Sequence, residues 1–353
     1  MAYTTIDDPS AYFQTATYTG TGSTQSITND GNSDLQPDWL WIKARSTGTS
    51  HLLNDSSRGV TKYLFSHLTN AEATSSIDVT SFNSDGFSLS TGASVNGSGQ
   101  TFAAWQWKAN GGTTSSNTNG TITSTVQANT DAGFSIVEYT TGSIVAGSGG
   151  YFSVGHGLGV TPDMVITKRL SGTSNWWTWH QGLTNDTTSY VDLSTTATEG
   201  SVGDMWGNGM TSSVFGGGAG SHYSSSDYVA YCFASKQGYS KFGTYEGMLG
   251  TTRPVYTGFK PAFVLIKNCD TVDNWILLDN KRDGYNLTEK YLMPSSSSAE
   301  STNVDAGDMD FYSNGFRIAT NYQSINKLGD KYIYMAFAEN PFVTSTGIPT
   351  TAR

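Results

Sequence analysis

The sequence predicts an all-β protein made of three tandem β-sandwich or jelly-roll repeats of about 100 residues each. Three observations carry that prediction. Gly, Ser, Thr and Asn make up roughly 44% of the 353 residues, and residues of this kind disfavour long helices, the polar ones because their short side chains compete for the backbone. The apolar stretches are short and are separated by turn signals at roughly the 8–12-residue spacing of sandwich strands. One pattern of four markers also recurs three times in the same order, which is the signature of an internal repeat.

The first marker is a proline followed six positions later by lysine: Pro37-Asp-Trp-Leu-Trp-Ile-Lys43, Pro162-Asp-Met-Val-Ile-Thr-Lys168 and Pro261-Ala-Phe-Val-Leu-Ile-Lys267. Proline has a fixed φ and no N–H, which suits the first residue of a strand. The apolar run behind it reads as a strand buried on both faces, with the lysine where the chain returns to water. The second marker, His51-Leu-Leu-Asn-Asp55, Trp176-Trp-Thr-Trp-His180 and Trp275-Ile-Leu-Leu-Asp279, reads as its antiparallel partner. The third is a turn entering an aromatic strand: Ser84-Asp-Gly-Phe87, the looser Gly207-Asn-Gly-Met210, and Ser313-Asn-Gly-Phe316. The fourth is a closing strand: Phe102-Ala-Ala-Trp-Gln-Trp107, Tyr228-Val-Ala-Tyr-Cys-Phe233 and Tyr332-Ile-Tyr-Met-Ala-Phe337.

These markers divide the chain into repeat 1 over 1–110, a linker over 111–133, repeat 2 over 134–237 and repeat 3 over 238–353. The linker is polar and Gly/Ser/Thr-rich, with one candidate strand in its TITSTVQ segment. It leaves the first copy hinged, whereas copies two and three abut. Leu64, Leu68 and Ala71 lie at helical spacing, which predicts a short helix within Arg58–Ala73.

The formal net charge is −10 and the pI about 4.8. That sign argues against nucleic acid or an anionic membrane as partner, since both require clustered cations. No apolar run reaches the ~20 residues of a membrane helix, and the opening residues lack the basic and apolar regions of a signal peptide. Cys232 and Cys269 are too few for a disulfide framework, and Cys232, in an apolar stretch, reads as the buried thiol of a protein made in a reducing cytoplasm.

Catalytic patterns are missing: there is no Gly-x-Ser-x-Gly, His-Glu-x-x-His or Walker-type loop. The Gly216–Gly220 run has no Lys-Ser/Thr or helix behind it and reads as a flexible loop. His51, His67, His156, His180 and His222 are never at metal spacing, and the acidic cluster Asp305, Asp308, Asp310 lacks the pattern of a calcium loop and reads as a solvated turn. No metal or cofactor is expected. The most informative cluster is Asn175-Trp-Trp-Thr-Trp179. In a strand, Trp177 and Trp179 face one way and Trp176 the other, so either one indole lies near the surface or all pack against a neighbouring repeat. Exposed indoles beside Asn and Thr suit stacking on sugar C–H faces, which makes Asn175, Trp176, Trp177 and Trp179 the candidate ligand-binding residues.

With these markers in hand, the segments QPDWLWIKAR, HLLNDSSRG, FNSDGFSL and TFAAWQWKA, followed by VGHGLGVTPDMVITKRL and WWTWHQGL, resemble a repeat of tailed-phage structural proteins, especially from phages of marine bacteria and cyanobacteria. The resemblance covers about Tyr12 to Phe342. It implies a tail-fibre-like virion structural protein with lectin-like β-sandwiches, made in the host cytoplasm and located on the virion. Function is then expected to be non-enzymatic: exposure on the particle surface and binding of host cell-surface glycan or protein. The partners would be tail or capsid subunits and a host glycan or receptor, with a homo-oligomer on the virion and neither nucleic acid nor membrane insertion. The alternative is a capsid or tail decoration (cement) protein with no host ligand, a compact pseudo-threefold block, because no coiled-coil heptads are visible. A depolymerase ranks third for want of a recognisable carboxylate pair.

Overall fold

The computed structural model describes residues 2–145, 150–248, 254–302 and 308–350. The first third forms β1 (Phe13–Thr19), β2 (Gln25–Ile27), β3 (Trp39–Ala44), β4 (Leu52–Asp55), β5 (Lys62–Phe65), β6 (Ala73–Thr74), β7 (Val79–Phe82), β8 (Phe87–Leu89) and β9 (Thr101–Trp107), with α1 (Ala93–Asn96) before β9. The middle forms β10 (Ser115–Asn117), β11 (Ser124–Asn129), β12 (Phe134–Thr140), β13 (Phe152–Gly155), β14 (Met164–Arg169), β15 (Trp177–His180), β16 (Ser189–Asp192), β17 (Gly200–Ser201), β18 (Val214–Gly217) and β19 (Asp227–Phe233). The last third forms β20 (Ser240–Glu246), β21 (Pro254–Tyr256), β22 (Phe259–Asn268), β23 (Ile276–Asp279), β24 (Met309–Tyr312), β25 (Gly315–Ile318) and β26 (Lys331–Pro341), with α2 (Gln323–Asn326) before β26.

The strands build an all-β fold of large sheets faced by small ones. Sheet β1-β9-β3-β4-β5-β6 is faced by β2-β8-β7, sheet β10-β11-β12-β19-β14-β15-β16-β17 by β13-β18, and sheet β20-β26-β22-β23 by β21-β25-β24. In each large sheet the first-marker strand lies between the closing strand and its hairpin partner, at one shared register: Trp39 opposite Trp107 and Asp55, Met164 opposite Phe233 and His180, Phe263 opposite Phe337 and Asp279. We call each pair of sheets a unit.

Strand alternation explains why the closing strands are apolar throughout. Successive side chains point to opposite faces, and here both faces are covered. Ala104, Ala230 and Ala336 enter the core of their own sandwich, with Phe87, Phe215 and Phe316 of the small sheets. Trp105, Tyr231 and Met335 enter a fourth, central core shared by all three large sheets. The units are therefore arranged around one common interior.

Several expectations are corrected. Residues 111–133 are no linker hinge: β10 and β11 extend the second large sheet, with Val126 opposite Val137 of β12. Arg58–Ala73 holds no helix, because residues 62–65 pair with β4 and place Leu64 in the central core. Of the Gly216–Gly220 run, only residues 218–220 form a loop and turn. Gly216 and Gly217 are buried in β18, where the carbonyl of Trp206 leaves no room for a Cβ at Gly216. The second-unit counterpart of Phe87 and Phe316 is Phe215, which pairs with Val154 as they pair with Ile27 and Val255, so the third marker falls at Ser212–Phe215 rather than Gly207–Met210. At Gly86, φ is +95° and a Cβ would strike the carbonyl of Ile27, so this turn requires glycine.

The marker lysines do not return to water. Lys43, Lys168 and Lys267 are fully buried. Lys168 Nζ donates to Thr69 O at 2.9 Å and Ser174 O at 2.7 Å, and Lys267 Nζ to Thr196 O at 3.0 Å and Asp273 O at 2.6 Å. Lys43 Nζ stays within its own unit, on Ala44 O and Thr47 O. Carbonyl groups replace the water that a buried ammonium would otherwise lose.

Candidate ligand-binding surface

Three seams join the units, and the same contacts recur at each. The residue before each hairpin-partner strand donates a ring N–H to a backbone carbonyl of the neighbouring unit: Trp176 to Phe65 O at 2.8 Å, Trp275 to Asp192 O at 2.9 Å and His51 Nε2 to Met293 O at 3.1 Å. Trp41 Nε1 donates to His51 Nδ1 at 2.9 Å, which leaves Nε2 as the protonated nitrogen. Backbone bonds Glu72 N to Leu170 O, Glu199 N to Cys269 O and Glu300 N to Arg45 O repeat the relationship. The third unit thus closes on the first, and the ring is complete.

The tryptophan cluster belongs largely to this framework. Trp176 is fully buried in the central core, and Trp179 is buried in the second sandwich, its Nε1 on Asp186 O at 3.1 Å. Trp177 is half-buried edge-on to Tyr190, with ring centroids 4.9 Å apart, and Asn175 is half-buried beside it. The four candidates therefore form no exposed stacking platform, because each face of β15 already has a core to fill.

The histidines are likewise engaged in packing. Burial pushes all five down, His180 to about 4 and His222 to about 3. Among the described residues no group of His, Cys, Asp or Glu is placed to hold a metal ion, and no helix is long and apolar enough to cross a membrane. Of the acidic cluster, Asp305 lies outside the described residues, whereas Asp310 is buried in β24 and paired with Arg317. Glu138, pushed up to about 7 chiefly by burial, shares a shallow cleft with Asp227, which accepts from Thr140 Oγ1 at 2.7 Å.

An aromatic platform exists elsewhere, in the turn after β23. Tyr285 is 85% exposed and borders a cleft of about 220 Å³ with Tyr312, Asn280, Asp283, Asn286 and Lys260. Its loop is held from both sides. Asn286 exchanges hydrogen bonds of 3.0 Å with the backbone N and O of Phe311, and Asp283 accepts from Glu289 N at 2.9 Å and Lys290 N at 2.7 Å. Burial alone would raise Asp283, but these bonds and the Lys290 ammonium hold it below the usual carboxylate range. Asn280 also lines a second cleft, of about 340 Å³, where the third unit meets β1. The two clefts therefore adjoin. The sequence marked only the turn Asp283-Gly284; a solvent-facing Tyr directly after it was the available signal.

No curated protein and no solved structure matches the chain. A family model described as Domain of unknown function (DUF7483) matches residues 8–341, nearly the whole ring. The chain belongs to the DUF7483 family.

Proposed function

We propose that this is a non-enzymatic, tail-fibre-like structural protein of a phage virion, exposed on the particle surface and binding host cell-surface glycan. The observation that carries the binding reading is Tyr285, an exposed ring on a pinned loop, beside a cleft rich in Asn, Asp and Lys groups. Such a surface can stack on the apolar face of a sugar while fixed polar groups meet its hydroxyls. The virion assignment is supported by the resemblance of the four markers to phage structural repeats. A glycan array probed with the full chain and with Tyr285→Ala tests the binding, and labelling of intact particles tests the location. Binding that survives Tyr285→Ala undiminished would reject this site, and absence of label from particles would reject the virion reading.

A second reading, a capsid or tail decoration protein, is favoured by the closed ring of three like units. A pseudo-threefold block can seat on a local threefold position of a protein shell, matching like surface to like. Label spread regularly over the capsid, without saccharide binding, would select it.

A further inference from the structure

We propose that the Tyr285 cleft takes uncharged pyranosides and rejects acidic sugars, and that the Lys260–Glu339 ion pair sets this preference. The proposal rests on the glycan reading above and names the chemical class that the same site would select.

A site for an acidic sugar needs a cation free to receive the carboxylate. Among the described residues Lys260 is the one cation in the lining of this cleft, and it is already taken. Its Nζ lies 2.6 Å from Glu339 Oε2, and the same oxygen accepts from Asn280 Nδ2 at 2.7 Å. The backbone explains why Glu339 points there. Along β22 and β26, Lys260 faces Asn340 while Pro261 faces Ala338, so Glu339 is the extra residue of a bulge. Proline has no N–H to give the ladder, and a bulge re-aims the side chain it carries.

The pair is peculiar to the third unit. Three residues before Trp39, Met164 and Phe263, which share one register, stand Gln36, Thr161 and Lys260. Two residues after their partners Trp107, Phe233 and Phe337 stand Ala109, Ser235 and Glu339. The two units without an exposed tyrosine at this turn therefore carry no charge at either position.

The remaining polar groups of the cleft suit hydroxyls. Asp283 is held below the usual carboxylate range, with Lys290 Nζ 2.6 Å from its Oδ1. As an ionised carboxylate it accepts from a sugar hydroxyl and repels a second carboxylate. Asn286, after its two bonds to Phe311, keeps one N–H and one lone pair on an exposed side chain. An acidic sugar entering this cleft would shed water from its carboxylate with no free cation to replace it, whereas a neutral ring exchanges only hydroxyl partners. At longer range the net charge of −10 also opposes a polyanionic chain.

The test is a ligand-observed NMR titration of the full chain with methyl glucoside and methyl galactoside against their own 6-carboxylates, methyl glucuronide and methyl galacturonide. At least one neutral glycoside is expected to bind roughly tenfold more tightly than its uronide, the scale of a charged group left without a partner. Glu339→Gln frees Lys260 and is expected to shift that ratio roughly tenfold toward the uronide. Lys260→Met combined with Glu339→Gln is expected to abolish the shift, with the thermal midpoint of each variant showing that it is folded. A uronide that binds the wild type as tightly as its neutral parent, a ratio unmoved by Glu339→Gln, or a shift that persists in the double variant would overturn the proposal. If uronide and glycoside bind alike and Tyr285→Ala removes both, glycan recognition at this cleft stands and the selectivity falls. If no saccharide binds here or on the array, both fall.

Discussion

Lys168 of the second unit donates from Nζ to the backbone carbonyl of Thr69 in the first, 2.9 Å away, the lysine itself buried and Thr69 exposed at the rim of the seam. The arrangement places an ammonium where an apolar side chain would be expected and makes the seam sensitive to protonation.

Burial lowers Lys168 to about 7, and Lys43 and Lys267 to about 8, from an unperturbed 10.5. Between those values and about pH 10 the unfolded chain holds more protons on these amines than the folded one, so their linkage makes stability rise with pH. The urea midpoint is expected to increase from pH 7 to about pH 8.5, below the range where the buried thiols of Cys232 and Cys269, pushed up by burial, act in the opposite sense. The slope is expected to flatten in Lys168→Met. A wild-type midpoint that is flat or falls over this interval would refute the reading.

Glu138 carries the opposite sign. Its folded value, pushed up to about 7 from 4.5, means that the folded state holds the extra proton between those limits, so its contribution to stability falls as pH rises through them. Glu138→Gln is expected to raise the thermal midpoint at pH 8 and leave it unchanged at pH 4. A lower midpoint at pH 8 would mean that the carboxylate has a favourable partner.

Asp55 and Arg58 form a buried pair with Nε to Oδ2 at 2.5 Å, and Tyr231 OH of the next unit donates to the same carboxylate at 2.7 Å. Asp55→Ala leaves the buried guanidinium with Glu72 alone, 3.0 Å away, and Tyr231 OH without its acceptor, and is expected to cost about 3–5 kcal/mol. The second unit holds His180 and Leu183 at the corresponding positions, so Asp55→His with Arg58→Leu is expected to recover much of that loss. Chemical denaturation of the single and double variants measures it, and a double variant no better than Asp55→Ala would show that the two seams are not interchangeable.

Trp176→Phe is expected to lower stability by about 2–3 kcal/mol, through the lost bond to Phe65 O and the cavity left in the central core. Saccharide binding should be unchanged. Loss of binding at unchanged stability would return Trp176 to the ligand site.

The sandwich strands were legible because a strand covered on both faces must be apolar at consecutive positions, and proline, lysine and turn residues bracket such runs. The identity of the second cover was not. Trp176, Trp275 and His51 share one place in the ring, but each meets a backbone carbonyl, which every residue carries and no sequence pattern marks. The lysines misled for a related reason: Lys43 Nζ and Lys168 Nζ are solvated by peptide oxygens, so their partners have no side-chain signature. The helical spacing of Leu64, Leu68 and Ala71 lost to strand pairing with β4, since tertiary contacts override a weak local period.

Ring closure also has an order in time. Trp105 finds its partner, Asp279 Oδ2 at 2.9 Å, 174 residues later in the chain, and Trp107 packs edge-on to Phe263. At about 5–20 residues per second, a ribosome that has finished β9 needs roughly 10–35 s to deliver that partner. Trp39 meets Tyr231 and Phe233 of the second unit earlier, but until the third unit arrives Trp105 and Trp107 border a half-built interior. The first and second units both wait on the third, whose Tyr334 carbonyl also meets His180 Nε2, before the interior closes.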